Sequence, residues 1–323
     1  MKGDENDRLD KINRALTSRT AKTLLAGGVA GCCAKSTVAP LDRVKILMQA
    51  QNTHFKDLGV YGTFKQVLVK EGVPGLYKGN GVQMIRIFPY AAIQFTAFEQ
   101  YKKWLKPAFP NHPHIDKLFA GSLAGLTAIL GTYPLDVLRS RLAFQVKSPS
   151  MELGMREMVR RMHLTEGGMR PFFRGMVPSM IGMAPYSGLS FYSYEMLKNW
   201  CLDTYPDIVG SPCPQNTGGL VLVVPAKLLC GGVAGAVAQT VSYPLDVVRR
   251  QLQVGKMHSD VNKFEGRRWY NVLFLVYHDH GVVKGLFRGM SVNYLRIMPM
   301  VGVSFTIYET MKQFLGLDTG FDR

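Results

Sequence analysis

SYPLDVVR, residues 242–249, carries a proline, an aspartate two residues on and an arginine three further, and the same spacing occurs twice earlier in the chain, in VAPLDRVK at 38–45 and TYPLDVLR at 132–139. The three sets are Pro40/Asp42/Lys45, Pro134/Asp136/Arg139 and Pro244/Asp246/Arg249. Thirteen residues before each proline stands a glycine with a second four later: Gly27/Gly31, Gly121/Gly125 and Gly231/Gly235. Downstream come YKG (77–79), FRG (173–175) and FRG (287–289). Twenty residues beyond those glycines lies an aromatic–Glu pair with Lys three further, at Phe98/Glu99/Lys102, Tyr194/Glu195/Lys198 and Tyr308/Glu309/Lys312. Four landmarks in one register, repeated three times, define a tandem repeat of about a hundred residues.

The windows between landmarks are apolar. Residues 118–135 and 228–245 carry no charge over 18 residues each, and their counterpart 24–41 has only Lys35. Residues 175–194 run 20 residues without one. A helix of roughly 20 residues spans a bilayer core, and Gly-x-x-x-Gly is expected to let such helices approach closely. The sequence therefore predicts an all-α membrane protein, with six transmembrane helices in three tandem two-helix repeats of pseudo-threefold symmetry. The spans fall near 21–50, 83–104, 117–146, 179–200, 226–254 and 293–314, with short surface helices such as 61–71 between the members of a pair. The organisation expected is a polar segment 1–20, repeats at 21–106, 115–201 and 225–315, a connecting loop 202–224 and a tail 316–323.

Of 323 residues, 39 are Lys or Arg against 23 Asp or Glu, a formal charge of +16. Such a balance suits nucleic acid, an anionic membrane surface or an acidic substrate. Mean hydropathy, +0.02, does not separate these classes. The five cysteines, at 32, 33, 201, 213 and 230, have no C-x-x-C spacing; they are expected to be reduced packing residues, with no metal site. The N-terminal stretch has no apolar run of a secretory signal, and Asp4, Glu5 and Asp7 argue against a cleavable transit peptide. AGGVAGCCAKS at 26–36 is not a phosphate loop, since Ala34 stands where G-x-x-x-x-G-K needs glycine. Without a nucleophile–base pair, a metal cluster or a phosphate loop, an enzyme is not expected, and no cofactor is. Nucleic-acid binding is disfavoured by the six apolar spans.

Carboxylates are costly inside a bilayer, so those in the spans are informative. Only Asp42, Asp136, Asp246, Glu99, Glu195 and Glu309 fall there. They form two threefold sets at opposite helix ends, each with a base three residues away. Under pseudosymmetry each acid reaches the base of a neighbouring repeat, closing a ring at either end. Two such rings imply alternating access about a central site. Counted one to one, these pairs leave Lys35, Arg86 and Arg296 in the span interiors with no carboxylate for them. Arg86 and Arg296 are repeat equivalents, and the third member of their register is Gly182, followed by Met183. Lys35 has Ile129 and Gln239 as equivalents. Two Arg and one Lys are expected to take phosphate groups, and a glycine beside Met183 leaves room for a flat ring. The expected substrate-binding set is Lys35, Arg86, Gly182, Met183, Gln239, Asn293 and Arg296.

Residues 20–315 resemble the mitochondrial carrier family, whose P-x-[DE]-x-x-[KR] motif matches 40–45, 134–139 and 244–249 and whose [FY]-[DE]-x-x-[KR] motif follows on the even helices. The resemblance implies a multi-pass monomer of the mitochondrial inner membrane, with its surface helices on the matrix side. It implies a matrix gate pairing Asp42 with Arg139, Asp136 with Arg249 and Asp246 with Lys45, and a cytoplasmic gate pairing Glu99 with Lys198, Glu195 with Lys312 and Glu309 with Lys102. Gln49 and Gln253 match the family glutamine that braces the matrix gate, whereas the second repeat has Ala143. Gly79, Gly175 and Gly289 match segments that bind cardiolipin. The preceding Glu-Gly pair occurs at 71–72 and 166–167, but the third repeat has His280-Gly281. The family's contact points fall at Arg86, Gly182–Met183 and Arg296, a pattern that implies an adenine-containing substrate. Arg249, Arg250, Gln251 and Leu252 depart from the ADP/ATP carriers at the third motif. AGGVAGCCAKSTVAPLDRVK and YKGNGVQMIRIFPYAAIQF resemble the family's coenzyme A carriers, with other adenine nucleotides as the alternative substrates.

Overall fold

The computed structural model describes residues 2–51, 55, 58–106, 113–146, 153–212, 220–257 and 267–317. Among them are six long helices: α1 (Lys2–Gln49), α3 (Asn80–Leu105), α4 (Pro113–Phe144), α6 (Met176–Thr204), α8 (Val224–Val254) and α10 (Met290–Phe314). Shorter helices α2 (Val60–Leu76), α5 (Met155–Thr165) and α9 (Trp269–Gly281) lie between the members of each pair, and α7 (Pro206–Val209) follows α6. The long helices coincide with the expected spans to within a few residues, except that α1 begins well before residue 21. The all-α expectation misses one feature, an antiparallel pair of β1 (Gly210–Pro212) and β2 (Leu220–Leu222). It falls inside the expected connecting loop, of which residues 213–219, with Cys213, lie outside the described residues.

Two stretches, Ala21–Gln49 and Pro225–Val254, are long and apolar enough to cross a membrane on composition alone. Several of the other long helices carry the polar residues that line a central cavity, as helices around a wet pathway do. The helices form a closed ring in which the second long helix of each repeat (α3, α6 and α10, the even spans) packs on the first of the next (α4, α8 and α1, the odd spans): α3 on α4, α6 on α8, and α10 back on α1.

Close approach of those helices comes from a stripe of small residues rather than from the Gly-x-x-x-Gly pairs. Ala26, Ala30, Ala34 and Val38 on α1, Ala120, Ala124, Ala128 and Thr132 on α4, and Cys230, Ala234, Ala238 and Ser242 on α8 are all buried. Each set holds the same four registers, one residue ahead of the glycines. A Cβ added at Gly27, Gly231 or Gly235 would meet nothing within 4 Å, and at Gly121 only Phe98 at 3.9 Å. Gly125 alone among the six is tight, with Met183 Cε 2.8 Å from that position. A four-residue spacing keeps a stripe on one helix face, and a shift of one residue turns it away from the seam.

Gly79, Gly175 and Gly289 precede α3, α6 and α10 with φ of 84°, 80° and 83°. This left-handed conformation is costly for other residues. Each turn also presses on the end of the next odd helix. A Cβ would stand 2.8 Å from the Arg139 carbonyl oxygen at Gly79, 2.9 Å from that of Arg249 at Gly175, and 3.7 Å from that of Lys45 at Gly289. The repeated glycine thus has a steric cause independent of any lipid. Gly175→Ala is expected to destabilise the protein by about 1–3 kcal/mol. Gly231→Ala, in open space on a helix, is expected to be neutral or slightly stabilising. Thermal unfolding in detergent measures both.

Candidate functional site

The helices that carry the proline–aspartate motif, α1, α4 and α8, converge at one end, and their motif side chains close the bottom of a cavity of about 510 Å³. Arg139 Nη2 on α4 donates to Asp42 Oδ2 on α1 at 2.5 Å, and Arg249 on α8 donates to Asp136 on α4. These are two of the three cross-repeat pairs that the family resemblance implies. The third is not formed: Lys45 Nζ donates to Asn293 Oδ1 at 2.8 Å, and Asp246 accepts from Gln239 Nε2 at 2.7 Å. Gln253 Nε2 donates to Asp136 Oδ2 at 2.9 Å, bracing that pair. Gln49 is buried at the end of α1. Ala143 makes no such brace, and packs instead beneath the Gly79 turn.

Arg86 and Arg296 do not stand unpartnered, which corrects the one-to-one count. Arg86 Nη1 lies 3.0 Å from Asp136 Oδ1 and Arg296 Nη1 lies 2.6 Å from Asp42 Oδ1. Arg250 adds a third cation to Asp136 at 3.6 Å. A carboxylate has two oxygens and about four lone-pair sites, so one aspartate serves several guanidinium groups. Lys35 has no carboxylate partner among the described residues; its Nζ lies 3.3 Å from Met300 Sδ. The cavity is still strongly cationic. Seven cations, Lys35, Lys45, Arg86, Arg139, Arg249, Arg250 and Arg296, line it against three carboxylates, Asp42, Asp136 and Asp246.

Gly182, Met183 and Gln239 join Lys35, Arg86 and Arg296 in the lining, with Tyr90 and Tyr186. The Arg86 guanidinium sits 5.5 Å from the centre of the Tyr90 ring. Asn293 is absent from the lining; it is buried, holding Lys45. A Cβ at Gly182 would stand 3.4 Å from Leu245 Cβ, so a side chain there enters a contact between α6 and α8. A second recess of about 400 Å³ shares Lys35 with the first and is walled by Met300, Val301, Phe305 and Tyr308 on α10.

The other charged set forms no ring. Lys198 meets Glu195 at 3.3 Å and Lys312 meets Glu309 at 3.4 Å, each within its own helix. Glu99 and Lys102 make no ion pair among the described residues. The Glu195 side chain is 56% exposed, whereas Asp42 and Asp136 are 5% and 1% exposed. One end of the bundle is shut and the other open, and none of the pairs Glu99–Lys198, Glu195–Lys312 and Glu309–Lys102 is formed in this conformation.

Three side chains that the register comparison passes over lock the shut end. The last carbonyls of a helix lack partners within it. Arg43 on α1 donates to the Ala143 and Gln145 carbonyls at the end of α4, at 3.2 and 2.8 Å. Arg141 on α4 donates to the Gln253 carbonyl of α8 at 2.9 Å. Gln251 on α8 donates to the Gln49 carbonyl of α1 at 2.9 Å. The cycle of helix ends is complete. Both arginines are also neutralised, Arg43 by Glu71 at 2.8 Å and Arg141 by Glu166 at 2.5 Å. Those acids belong to the Glu-Gly pairs, and the third repeat lacks both Arg and Glu, with Gln251 and His280 instead. Arg141 and Gln251 stand seven residues past their prolines, a visible register; Arg43 stands three past its own. Tyr133 and Tyr243 add a second latch, donating to the Arg174 and Arg288 carbonyls at 3.1 and 2.9 Å.

A threefold helical ring around a cationic cavity, shut by ion pairs at one end and open at the other, is the architecture of a membrane carrier of small solutes. The chain belongs to the mitochondrial carrier family: the model described as "Mitochondrial carrier protein" matches residues 17–108, 110–205 and 221–319. It is thus a multi-pass protein of the mitochondrial inner membrane and a transporter rather than an enzyme. It is 51% identical over 297 residues to mouse "Solute carrier family 25 member 16", covering 92% of this chain and 89% of the relative. It is 42% identical over 306 residues to "Mitochondrial carrier protein CoAc2" of Zea mays, with 90% and 85% covered. "Mitochondrial carrier protein LEU5" of Saccharomyces cerevisiae is 33% identical over 364 residues, with 97% and 98% covered.

Arg141→Ala is expected to cost about 1–3 kcal/mol, because it strips the donor from the Gln253 carbonyl and leaves Glu166 only the more distant Arg174, at 3.5 Å. The double change Arg141→Ala with Glu166→Ala is expected to recover part of it. Unfolding temperatures of the two variants in detergent measure the difference.

Proposed function

We propose that this carrier transports coenzyme A, by alternating access between the two charged sets. Asp42, Asp136 and Asp246 with Lys45, Arg139 and Arg249 form the set that is shut here; Glu99, Glu195 and Glu309 with Lys102, Lys198 and Lys312 form the set that closes in the opposite state. The observation that carries this reading is the excess of cations over carboxylates on a wall that is asymmetric at Gly182–Met183. Crowded like charges repel in a cavity of low dielectric, and a polyanion relieves that repulsion. Pyrophosphate and 3′-phosphate groups suit the forks of Arg86 and Arg296 with Lys35. The adenine suits the uncharged stretch of the lining formed by Gly182, Met183 and Tyr186.

The recess beside Lys35 favours coenzyme A over simpler adenine nucleotides. Its apolar wall of Met300, Val301 and Phe305 offers a place for a long, weakly polar arm that AMP or ADP lacks. The relatives named CoAc fit the same reading. The geometry also supplies a link between binding and opening. Arg86 and Arg296 hold Asp136 and Asp42, the acids of the shut end. A phosphate that draws either arginine away strips a cation from a gate carboxylate and loosens the closure. Cardiolipin at the turns of Gly79, Gly175 and Gly289 is part of this proposal, supported by the α3, α6 and α10 N-termini, which favour anionic headgroups.

Uptake of labelled coenzyme A and of adenine nucleotides into liposomes containing the purified protein tests the proposal. Absence of coenzyme A uptake alongside active nucleotide exchange would refute it in favour of the nucleotide alternative. Arg86→Ala and Arg296→Ala are each expected to weaken substrate binding by about 2–5 kcal/mol, more than tenfold in affinity, while the protein stays folded. Met183→Trp is expected to depress uptake of adenine-containing substrates and leave competition by pyrophosphate nearly intact. Equal loss of both would sink the adenine assignment.

A further inference from the structure

The seam between α6 and α8 differs from its two counterparts at one level. Six residues past Glu195, near the C-terminus of α6, stands Cys201; the equivalent residues are Leu105 and Leu315. Fourteen residues before Pro244, on α8, stands Cys230, where the other repeats have Ala26 and Ala120. Leu and Ala meet the packing need at the other two seams. At this one both partners are cysteine at once, and their Sγ atoms lie 3.7 Å apart. Ala226 and Leu222 flank Cys230, and Leu197 and Leu202 pack around the pair. Both cysteines are free. Cys201 is partly exposed and Cys230 is buried.

We propose that Cys201 and Cys230 form a reversible disulfide that staples the second repeat to the third at the open end of the bundle. A disulfide needs the sulfurs to close to about 2.05 Å, a small movement from their present separation on two helices already in contact. The oxidant is a small-molecule disulfide such as glutathione disulfide. The partly exposed Cys201, as its thiolate, attacks one of its sulfurs and expels one thiolate; Cys230 then attacks Cys201 Sγ in the mixed disulfide and expels the second. The protein loses two electrons and two protons, and the reagent gains both as two thiols. Closing the open end of a carrier requires its repeats to move against one another, so the staple holds the molecule in the conformation described here and stops transport. It acts away from the cavity and is independent of which solute is carried.

The test uses the full chain with Cys32, Cys33 and Cys213 changed to Ser, reconstituted in liposomes and treated with glutathione disulfide. The expected result is a Cys201–Cys230-linked peptide in a non-reducing digest and a higher unfolding temperature. Uptake of labelled coenzyme A is expected to be lost on oxidation and restored by dithiothreitol. Cys230→Ser in the same background is expected to stop at the mixed disulfide on Cys201, without the rise in unfolding temperature. Recovery of only the mixed disulfide when both cysteines are present would overturn the proposal, as would a linked protein whose uptake is unchanged. If the reduced protein takes up no coenzyme A at all, the substrate assignment fails, and the staple is judged on the linked peptide and the unfolding temperature.

Discussion

The sharing of two aspartates among five arginines holds the shut end of the bundle together and at the same time charges its cavity. Asp42 is held by Arg139 and Arg296, and Asp136 by Arg249, Arg86 and Arg250. Each cluster draws its cations from different repeats, so each ties the ring across a seam. Because cations outnumber acids, the clusters are electrostatically incomplete, and an incoming anion has something to gain. A conventional one-to-one salt bridge would close the end equally well and leave nothing over for a ligand.

Around that core, the backbone ends are tied by a different chemistry. The C-terminal carbonyls of α4, α8 and α1 accept from Arg43, Arg141 and Gln251 in turn. Two of these ties are charged and neutralised by buried glutamates; the third is a neutral amide. The third repeat is also where Lys45 and Asp246 fail to pair and take Asn293 and Gln239 as partners. The shut end is thus strongest between the first and second repeats and between the second and third. Where the third repeat meets the first, no ion pair among the described residues joins α8 to α1, and Arg296 on α10 holds Asp42 on α1 instead, at 2.6 Å.

The fold was largely legible because its signals are repeated. A proline and two charges in fixed register mark the ends of odd helices three times over, and the uncharged windows between mark the spans. Two of the cross-repeat pairs that the family resemblance implies are formed as well. Arg86 and Arg296 were legible as cavity residues, but not their partners, since counting charges in pairs hides an aspartate that serves three cations. Asn293 looked like a ligand because it is polar and within a span, while its real neighbour, Lys45, is 248 residues away. Arg43 escaped because it does the work of Arg141 from a different register. The seam stripe escaped because alanine every fourth residue is less conspicuous than glycine, though the glycines lie one residue off the interface.

Broken symmetry then becomes the guide to function. A ring of identical repeats builds a symmetric vessel, and a symmetric vessel cannot hold one end of an elongated solute differently from the other. Where packing alone decides, the three repeats agree: small residues on the seams, glycine at the left-handed turns. Where they disagree, packing has no reason to prefer one choice. Arg86 and Arg296 against Gly182 set two charged walls against one open one. Lys35 against Ile129 and Gln239 puts a single amine beside a single recess. These departures lie within reach of the same cavity, and all but Gly182 and Ile129 add a cation or a polar group to it. Such a vessel suits a solute of the kind proposed, multiply charged over part of its length and flat or apolar over the rest. The orientation of that solute is fixed by the repeats' differences rather than by their shared fold.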